Sequence, residues 1–190
     1  MRVISGTHRS RKLKEVPSEA TRETKDRVKE ALFNSIQPQL YDAKVLDLFC
    51  GSGSLGIEAL SRGAMHCDFI DQSHHAYDIT NFNVTNLGLF RQASVVQAEA
   101  LSFLQSQNTP YDVILLDPPY DADILGETVQ LIATNKLLSN IGIIVALHPK
   151  NEVLSCTDCG IMEYKTKTIG ITKLTYMKWG KHDESSSLSR

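Results

Sequence analysis

The chain has 190 residues, of which 42% are hydrophobic and 22% are charged, and its formal net charge is -2. These values predict one soluble domain that is large enough to bury a core. No apolar run approaches the roughly 20 residues needed to cross a membrane, and the N-terminal segment lacks an apolar signal stretch. We therefore expect a cytoplasmic protein with no membrane partner and with four reduced cysteines.

The N-terminal segment is basic, although the chain as a whole is slightly acidic. Positions 1–14 contain no acidic residue, and their basic residues are Arg2, Arg9, Arg11, Lys12 and Lys14. Such a local excess of one charge predicts an anion-binding surface, and a solvated, mobile terminus is the alternative. We expect residues 1–6 to form a short strand before a turn and residues 7–14 to be extended or mobile.

Strands and helices alternate through the middle of the chain. A helix is predicted from about Thr24 to Leu40, where apolar residues recur at helical spacing. After it we predict five strands, at 45–49, 66–71, 94–98, 112–116 and 141–147. The segments between these strands are predicted to be helices that end near positions 63, 87, 105 and 138. This alternation predicts a parallel sheet with helices on both faces.

The last part of the chain has a different pattern. Residues 162–169 and 172–179 flank Gly170 with no helix between them, which predicts an antiparallel hairpin. A mostly parallel, Rossmann-like sheet of seven strands that ends in such a hairpin is typical of class I methyltransferases, and not of dinucleotide-binding dehydrogenases. We divide the chain into a basic arm and helix at 1–40, a methyltransferase domain at 41–180 and a disordered tail at 181–190.

A glycine-rich turn follows the first predicted strand and begins the next helix. Its sequence is Asp47-Leu-Phe-Cys-Gly51-Ser-Gly53-Ser-Leu-Gly56. Glycines in such a turn allow the backbone to approach a ligand closely. Asp71 lies 20 residues after Gly51, at the end of the next strand, where a carboxylate can accept hydrogen bonds from ribose hydroxyls. The pattern predicts a nucleoside cofactor, and a turn that only packs a helix on a strand is the alternative.

The acid before the glycines helps to choose between two cofactors. A dinucleotide carries a pyrophosphate that binds bare N–H groups at a helix start, whereas S-adenosylmethionine carries an ammonium and a sulfonium. Asp47 therefore favours S-adenosylmethionine, unless it only caps the turn. Glu99 and the N–H of Ala100 are expected to face adenine, and a helix-capping role is the alternative for Glu99. The other candidates for cofactor contact are Phe49, Ser52, Gln72 and Asp117.

The tetrapeptide Asp117-Pro118-Pro119-Tyr120 follows the fourth predicted strand. Its prolines fix φ and rigidify the turn, so that its carbonyl groups point into the cleft at the carboxyl ends of the strands. Asp117 and the Pro118 carbonyl can each accept an N–H of an exocyclic amine on a base, and Tyr120 can stack on that base. This predicts methylation of a base amino group. A double-proline turn that only ends a strand is the alternative.

These segments together resemble those of a known family. Asp117-Pro-Pro-Tyr120 and the glycine-rich turn are similar to the motifs of amino-methyltransferases that act on nucleic acids. Resemblance to the bacterial RsmD family extends over nearly the whole chain and rests on four further segments. These are Arg2-Val-Ile-Ser-Gly6, Arg9-Ser-Arg-Lys-Leu13, Asp26-Arg-Val-Lys-Glu-Ala-Leu-Phe-Asn34 and Leu55-Gly-Ile-Glu-Ala-Leu-Ser-Arg-Gly63.

The resemblance implies methyl transfer from S-adenosylmethionine to N2 of one guanine in 16S rRNA, within the assembled or assembling small ribosomal subunit. We also expect a monomer without a metal. The residues implied to bind the cofactor are Asp47, Gly51, Gly53, Asp71 and Glu99, and those implied to position the guanine are Asp117, Pro118 and Tyr120. The residues that would contact RNA phosphates are Arg2, Arg9, Arg11, Lys12, Lys14, Arg22 and Arg27.

Three other functions agree with part of the sequence. A DNA adenine-N6 methyltransferase would suit the tetrapeptide, although the chain has no separate target-recognition domain. An NAD-binding oxidoreductase would suit the glycine-rich turn, and a non-catalytic ribosome-assembly factor could bind S-adenosylmethionine. Cys156 and Cys159 are too few ligands for a structural zinc site, so we assign the pair no function.

Overall fold

A computed structural model describes residues 1–16, 22–119, 124–152, 154 and 159–180. The helices are α1 (Arg22–Ile36), α2 (Ser54–Ser61), α3 (His74–Asn86), α4 (Ala100–Ser106) and α5 (Leu125–Thr134), and a 3₁₀ turn at Gln37–Gln39 follows α1. The strands are β1 (Lys44–Leu48), β2 (His66–Asp71), β3 (Ala93–Gln97), β4 (Tyr111–Leu116), β5 (Leu138–Pro149), β6 (Ile161–Ile169) and β7 (Thr172–Trp179).

The seven described strands form one sheet in the order β3-β2-β1-β4-β5-β7-β6. Strands β1 to β5 run parallel to their neighbours, whereas β7 is antiparallel to both β5 and β6. The expected class I methyltransferase fold, with its parallel sheet and C-terminal hairpin, is therefore confirmed.

Both faces of the sheet are buried, each by its own apolar cluster. Alternate residues of β1 point to opposite faces, so that Val45 packs with α1 and α2 while Leu46 packs with α4 and α5. The same alternation places Val113 and Ile114 of β4 in different clusters. Burial on both faces explains why these strands are continuous apolar runs in the sequence.

Two helices end before the positions predicted for them. Helix α1 ends at Ile36 and not at Leu40, because Pro38 has no N–H to continue the helical hydrogen bonds. Helix α5 ends at Thr134, because Lys136 adopts a left-handed φ of 54° and Leu138 already pairs with Tyr111 as part of the sheet.

The N-terminal arm, residues 1–16, packs on the body of the protein. A single antiparallel bridge joins Arg2 to Lys12, and residues 7–10 turn between them. Val3 and Leu13 are buried in the cluster that α1 and α2 cover. The predicted strand over 1–6 is thus reduced to one bridge, and the turn expected after it is present. Residues 7–10 form this turn and are not the extended or mobile segment that was expected there.

Gly6 allows the arm to approach α2 closely. Its φ is +84°, and a Cβ added there would lie 1.7 Å from the carbonyl oxygen of Ser61. The same carbonyl accepts a 2.8 Å hydrogen bond from the N–H of Thr7. The hydroxyl of Ser61 accepts a second bond, from the N–H of His8 at 2.9 Å. A turn bonded to α2 therefore replaces the expected extended segment.

None of the described helices is long and apolar enough to cross a membrane. Cys50 and Cys67 are buried free thiols, as expected. The expectation of a reduced thiol is wrong for Cys159, which is disulfide-bonded. Cys156 lies outside the described residues.

Candidate active site

The carboxyl ends of the parallel strands bring the candidate residues to one edge of the sheet. Leu48 at the end of β1 is aligned with Ile70 of β2 and with Leu116 of β4. Asp71 and Asp117 directly follow these two partners, so they emerge on either side of the glycine-rich turn. This edge is where ligands bind in open parallel sheets.

The turn after β1 has an uncommon backbone conformation. Phe49 has a φ of 71°, in the left-handed region that bulky residues avoid, and Gly51 and Gly53 have φ values of 55° and 73°. Such conformations persist where the surroundings impose them, and they cluster at ligand-binding sites. The sequence indicated the two glycines, but it gave no sign of the strain at Phe49.

Asp47 lies beneath this turn and is 1% exposed. Its Oδ2 accepts a 2.8 Å hydrogen bond from the N–H of Gly56, whereas its Oδ1 is buried without a hydrogen-bond partner among the described residues. Burial raises the pKa of Asp47 to about 7. The negative charges of Asp117 and Asp71 add to this rise, and the Gly56 N–H opposes it.

Asp71 connects the end of β2 to the turn. Its Oδ2 accepts a 2.9 Å hydrogen bond from the N–H of Gly51, and its Oδ1 accepts one of the same length from Ser73. Each carboxylate oxygen retains a second lone pair, which leaves it able to accept from a ribose hydroxyl. The residue is therefore placed both to shape the turn and to bind a ligand above it.

Glu99 caps helix α4, which was the alternative considered for it. Its two oxygens accept hydrogen bonds from the N–H groups of Leu101 and Ser102, at 2.9 and 2.7 Å. These bonds lower the pKa of Glu99, so the exposed carboxyl is a fixed negative charge. Ala100 is the buried first residue of the helix. A contact of Glu99 with adenine stays a prediction, since the cap uses one lone pair of each oxygen.

Ser52 and Gln72 complete the cofactor candidates. Ser52 is buried in the turn, and its carbonyl accepts a hydrogen bond from the side chain of Asn83. Gln72 is exposed just beyond β2, and its carbonyl accepts a bond from the side chain of Gln97.

The acidic and backbone groups at the carboxyl ends of β1, β2 and β3 fit a cationic nucleoside. Asp47 offers a buried oxygen without a partner, and Asp71 and Glu99 are both held by backbone N–H groups. The acids around the turn would repel a pyrophosphate, whereas they would attract an ammonium or a sulfonium. In the part of the chain that the structure describes, no three His, Cys, Asp or Glu side chains are grouped so as to bind a metal ion.

The tetrapeptide follows β4 as expected. Asp117 and Pro119 are exposed, and Pro118 is buried between them. Tyr120 lies outside the described residues, so its stacking on a base stays a prediction.

A groove opens beside the two prolines. The residues that line it are Pro118, Pro119, Leu125, Leu147, His148, Pro149 and Glu152. It is bounded by the ends of β4 and β5 and by the start of α5, next to Asp117. The groove is too narrow to admit a water molecule, so a base would have to bind on the exposed surface at Asp117 and Pro119.

His148 fixes one wall of this groove, and the sequence analysis missed it. A carbonyl can only accept, so Nδ1–H of His148 donates to the Pro149 oxygen at 3.1 Å, and Nε2 accepts from the Thr175 hydroxyl at 2.8 Å. Burial lowers the pKa of His148, which favours the neutral ring that these two bonds require. Its only sequence signal was a histidine at the end of an apolar strand.

The basic residues of the arm do not all face the same way. Arg2, Arg9 and Arg27 line one cleft of about 470 Å³ between the arm and α1, together with the acids Asp26 and Glu30. Arg2 is also paired with Asp26, at 3.2 Å. Arg11 and Lys12 are also exposed, but they do not line this cleft. The structure does not describe the side chain of Arg22.

A buried ionic cluster anchors the arm, and the sequence analysis did not predict it. Glu58 of α2 is 0% exposed and accepts hydrogen bonds from the N–H groups of Ile4 and Ser5, at 2.7 and 3.0 Å. Arg62 donates to Glu58 at 2.8 Å, and Lys29 lies 3.4 Å from it. Both Glu58 and Lys29 lie within the segments that resemble the known family, but the spacing gave no sign that they meet.

Two buried side chains also tie the arm to the glycine-rich turn. Asn83 of α3 donates one hydrogen bond to the carbonyl of Lys14 and another to that of Ser52, both at 2.9 Å. Lys29 donates to the carbonyl of Arg2 and, at 3.0 Å, to the hydroxyl of Ser54 at the start of α2. The arm and the turn are therefore parts of one hydrogen-bonded unit.

Comparison with known proteins agrees with this arrangement. The family described as "Conserved hypothetical protein 95" matches residues 1–178. YlbH of Bacillus subtilis is 39% identical over 181 residues, which cover 94% of this chain and 98% of the relative. Ribosomal RNA small subunit methyltransferase D of Escherichia coli is 38% identical over 146 residues, or 76% of this chain and 72% of the relative.

A solved structure has the same fold over nearly its full length. The yhhF protein of Escherichia coli superimposes with a TM-score of 0.84 at 32% sequence identity. The match covers 94% of this chain and 97% of that one.

Proposed function

This chain belongs to the RsmD family, and we propose that it transfers a methyl group from S-adenosylmethionine to N2 of one guanine in 16S rRNA. The observation that carries the proposal is the position of Asp117-Pro118-Pro119 directly after β4, one strand away from the glycine-rich turn. A relative named for methylation of small-subunit ribosomal RNA supports the choice of RNA. The substrate is the assembled or assembling small subunit.

We assign the cofactor to the half of the edge formed by β1, β2 and β3. S-Adenosylmethionine, when bound, supplies an electrophilic methyl group on a positively charged sulfur. Asp47, through the oxygen that has no partner among the described residues, would hold its ammonium, Asp71 would accept from the ribose hydroxyls, and Glu99 with the N–H of Ala100 would bind adenine. Gly51 and Gly53 allow the backbone to approach it, and Phe49, Ser52 and Gln72 border the same pocket.

We assign the guanine to the exposed surface at Asp117 and Pro119, at the mouth of the narrow groove. The exocyclic amine of guanine is a poor nucleophile, because its lone pair is delocalised into the ring. Asp117 and the carbonyl of Pro118 each accept one N–H, which orients the amine and stabilises the positive charge that develops on it. Asp117 then takes the proton that the methylated amine loses, and Tyr120 stacks on the base.

The arm supplies the electrostatic contact with RNA. Arg2, Arg9 and Arg27 converge on one cleft, which favours binding of phosphates there. We predict that Arg11, Lys12, Lys14 and Arg22 also contact phosphates. Each neutralised phosphate should change the slope of log affinity against log salt by about -0.7 to -0.9.

The test is tritiated methyl transfer to small subunits and to DNA from a strain that lacks this activity, followed by nucleoside analysis. We expect label in N2-methylguanosine from the subunits and none in DNA. Label in N6-methyladenine would identify a DNA adenine methyltransferase instead. Binding of the cofactor and of subunits without any transfer of label would identify an assembly factor, and binding of NAD would identify an oxidoreductase.

A further inference from the structure

The β6–β7 hairpin carries a second basic surface, which the proposed function does not use. Residues 161–179 contain four lysines and only one acid, Glu163. The turn of this hairpin lies at the catalytic edge of the sheet, because Thr172 is aligned with Pro149 at the end of β5. A 2.9 Å hydrogen bond from the N–H of Lys150 to the carbonyl of Ile171 fastens it there.

Three lysines surround this turn, and we name them the basic tip: Lys150, Lys167 and Lys173. Lys173 is aligned with His148, which lines the groove beside the prolines. Lys167 is aligned with Leu174, whose side chain packs in the cluster on the other face of the sheet. Lys150 directly follows the end of β5, so the tip presents positive charge on both faces of the edge.

The other lysines of the hairpin already have partners within the protein. Lys165 donates to the hydroxyl of Ser35 at 3.1 Å and lies 5.1 Å from the ring centre of Tyr176. Lys178 lies 4.8 Å from the ring centre of Tyr164.

The lysines of the basic tip differ from Lys165 and Lys178 in their contacts. Within the described ranges, the side chains of Lys150, Lys167 and Lys173 make no ion pair and no hydrogen bond. Lys150 and Lys167 are exposed, and Lys173 is partly exposed. Unpaired ammonium groups beside a cleft are suited to neutralise phosphates, since binding then releases counterions.

We propose that the basic tip binds backbone phosphates of the RNA strand that carries the target guanine. This proposal rests on the proposed function. It adds a second RNA contact at the end of β5, away from the arm, which packs against α2 and α3. Glu152, on the rim of the groove, would repel a phosphate. The RNA strand therefore passes over the basic tip and not along the rim at Glu152.

The test compares two triple variants that each remove three positive charges. The tip variant is Lys150→Ala/Lys167→Ala/Lys173→Ala, and the control is Lys44→Ala/Lys165→Ala/Lys178→Ala. Affinity for small subunits lacking the methyl group is measured at several salt concentrations, together with KM and kcat for methyl transfer. We expect the slope against log salt to lose about 2 units in the tip variant, and KM to rise roughly tenfold or more near 0.1 M salt, because single-stranded contacts contribute about 0.7 each.

The control should keep its slope within a few tenths of the wild-type value, and kcat should be similar in both variants. An unchanged slope in the tip variant would overturn the proposal, even if binding weakened, because such a loss would indicate contact with a ribosomal protein instead of phosphate. Equal losses in both variants would show an effect of net charge alone and would also overturn it. Failure of the wild-type protein to methylate subunits would refute the proposed function separately, since the slope is measured by binding.

Discussion

The two halves of the catalytic edge are fixed by different means. In the cofactor half, Asp47, Asp71 and Glu99 each accept hydrogen bonds from backbone N–H groups. In the target half, two prolines fix the backbone, and neutral His148 is bonded to its surroundings through both ring nitrogens. Ionisable groups respond to pH and to charged ligands, whereas a proline turn does not. Substitutions in the two halves should therefore separate cofactor binding from the rate of transfer.

The largest effect is expected from Asp117→Ala in the target half. The variant loses the acceptor that orients the amine and takes its proton, so kcat should fall about 100- to 1,000-fold, the usual cost of removing one such group. Its Kd for S-adenosylmethionine should stay within about twofold of the wild-type value, as measured by calorimetry.

Asp117→Asn is the matched control, because it keeps the shape and one acceptor oxygen but cannot take the proton. It should also be slow while binding the cofactor normally. Loss of cofactor binding in both variants would mean that Asp117 belongs to the cofactor half, and the comparison between the halves would be wrong.

The second effect is expected from Asp71→Ala in the cofactor half. It removes the acceptor for Gly51, for Ser73 and for the ribose, so Kd for the cofactor should rise roughly tenfold or more. At saturating cofactor, kcat should change little. Asp78→Ala, an exposed acid on α3 that is paired with His74, is the control and should leave Kd unchanged. A fall in kcat without a change in Kd would contradict the assignment.

Asp47 should make cofactor binding depend on pH. Its pKa is raised to about 7 in the free protein, so its carboxyl changes from mostly protonated to mostly ionised between about pH 5.5 and 7.5. A cationic cofactor prefers the ionised form, and its affinity should rise about tenfold over this window. Calorimetry at several pH values should find a flat profile for Asp47→Asn. An equally steep profile in that variant would exclude Asp47 as the group responsible.

The same pKa shift acts in the opposite direction on the stability of the free protein. Because the pKa of Asp47 is higher in the folded state, the unfolded chain releases this proton first as the pH rises. The folded state therefore loses stability from about pH 4 to about pH 7. Asp47→Asn escapes this loss, so its Tm relative to the wild type should increase between pH 5 and pH 8. A constant difference in Tm would contradict a raised pKa for the buried carboxyl of Asp47.

The smallest effect is expected from Asn83→Ala, which cuts one link between the arm and the glycine-rich turn. It leaves the carbonyl of Ser52 without its donor, so Kd for the cofactor should rise a few-fold while kcat stays similar. Asn86→Ala, an exposed position on the same helix, is the control. If Asn83→Ala changed only Tm, the link would be structural alone.

The fold was predictable from the sequence because periodicity and glycine positions reflect local geometry. β2 and β7 begin and end where the pattern placed them. The arm was not predictable, because its conformation depends on Glu58 and Ser61, more than 50 positions away in the chain. His148 was missed for the same reason, since its partner Thr175 belongs to another strand.

The candidate site also has features that the sequence predicted and features that it did not. The turn and the tetrapeptide are short motifs, so the sequence placed Asp47, Asp71 and Asp117 at one edge. It could not reveal that Glu99 uses both oxygens as a helix cap. The anchored arm also affects experiments: deleting residues 1–14 would leave Glu58 and Lys29 buried without their backbone partners. Substitutions of Arg9, Arg11 and Lys12 are therefore the better test of RNA binding.

The central claim is tested most directly by mass spectrometry of nucleosides from 16S rRNA. The rRNA is taken from a strain that lacks this activity, after the strain has received either the wild-type gene or the Asp117→Ala variant. We predict that N2-methylguanosine increases by one residue per 16S rRNA with the wild type and does not increase with the variant. No increase with the wild type, or a new methyl group on another base, would contradict the account.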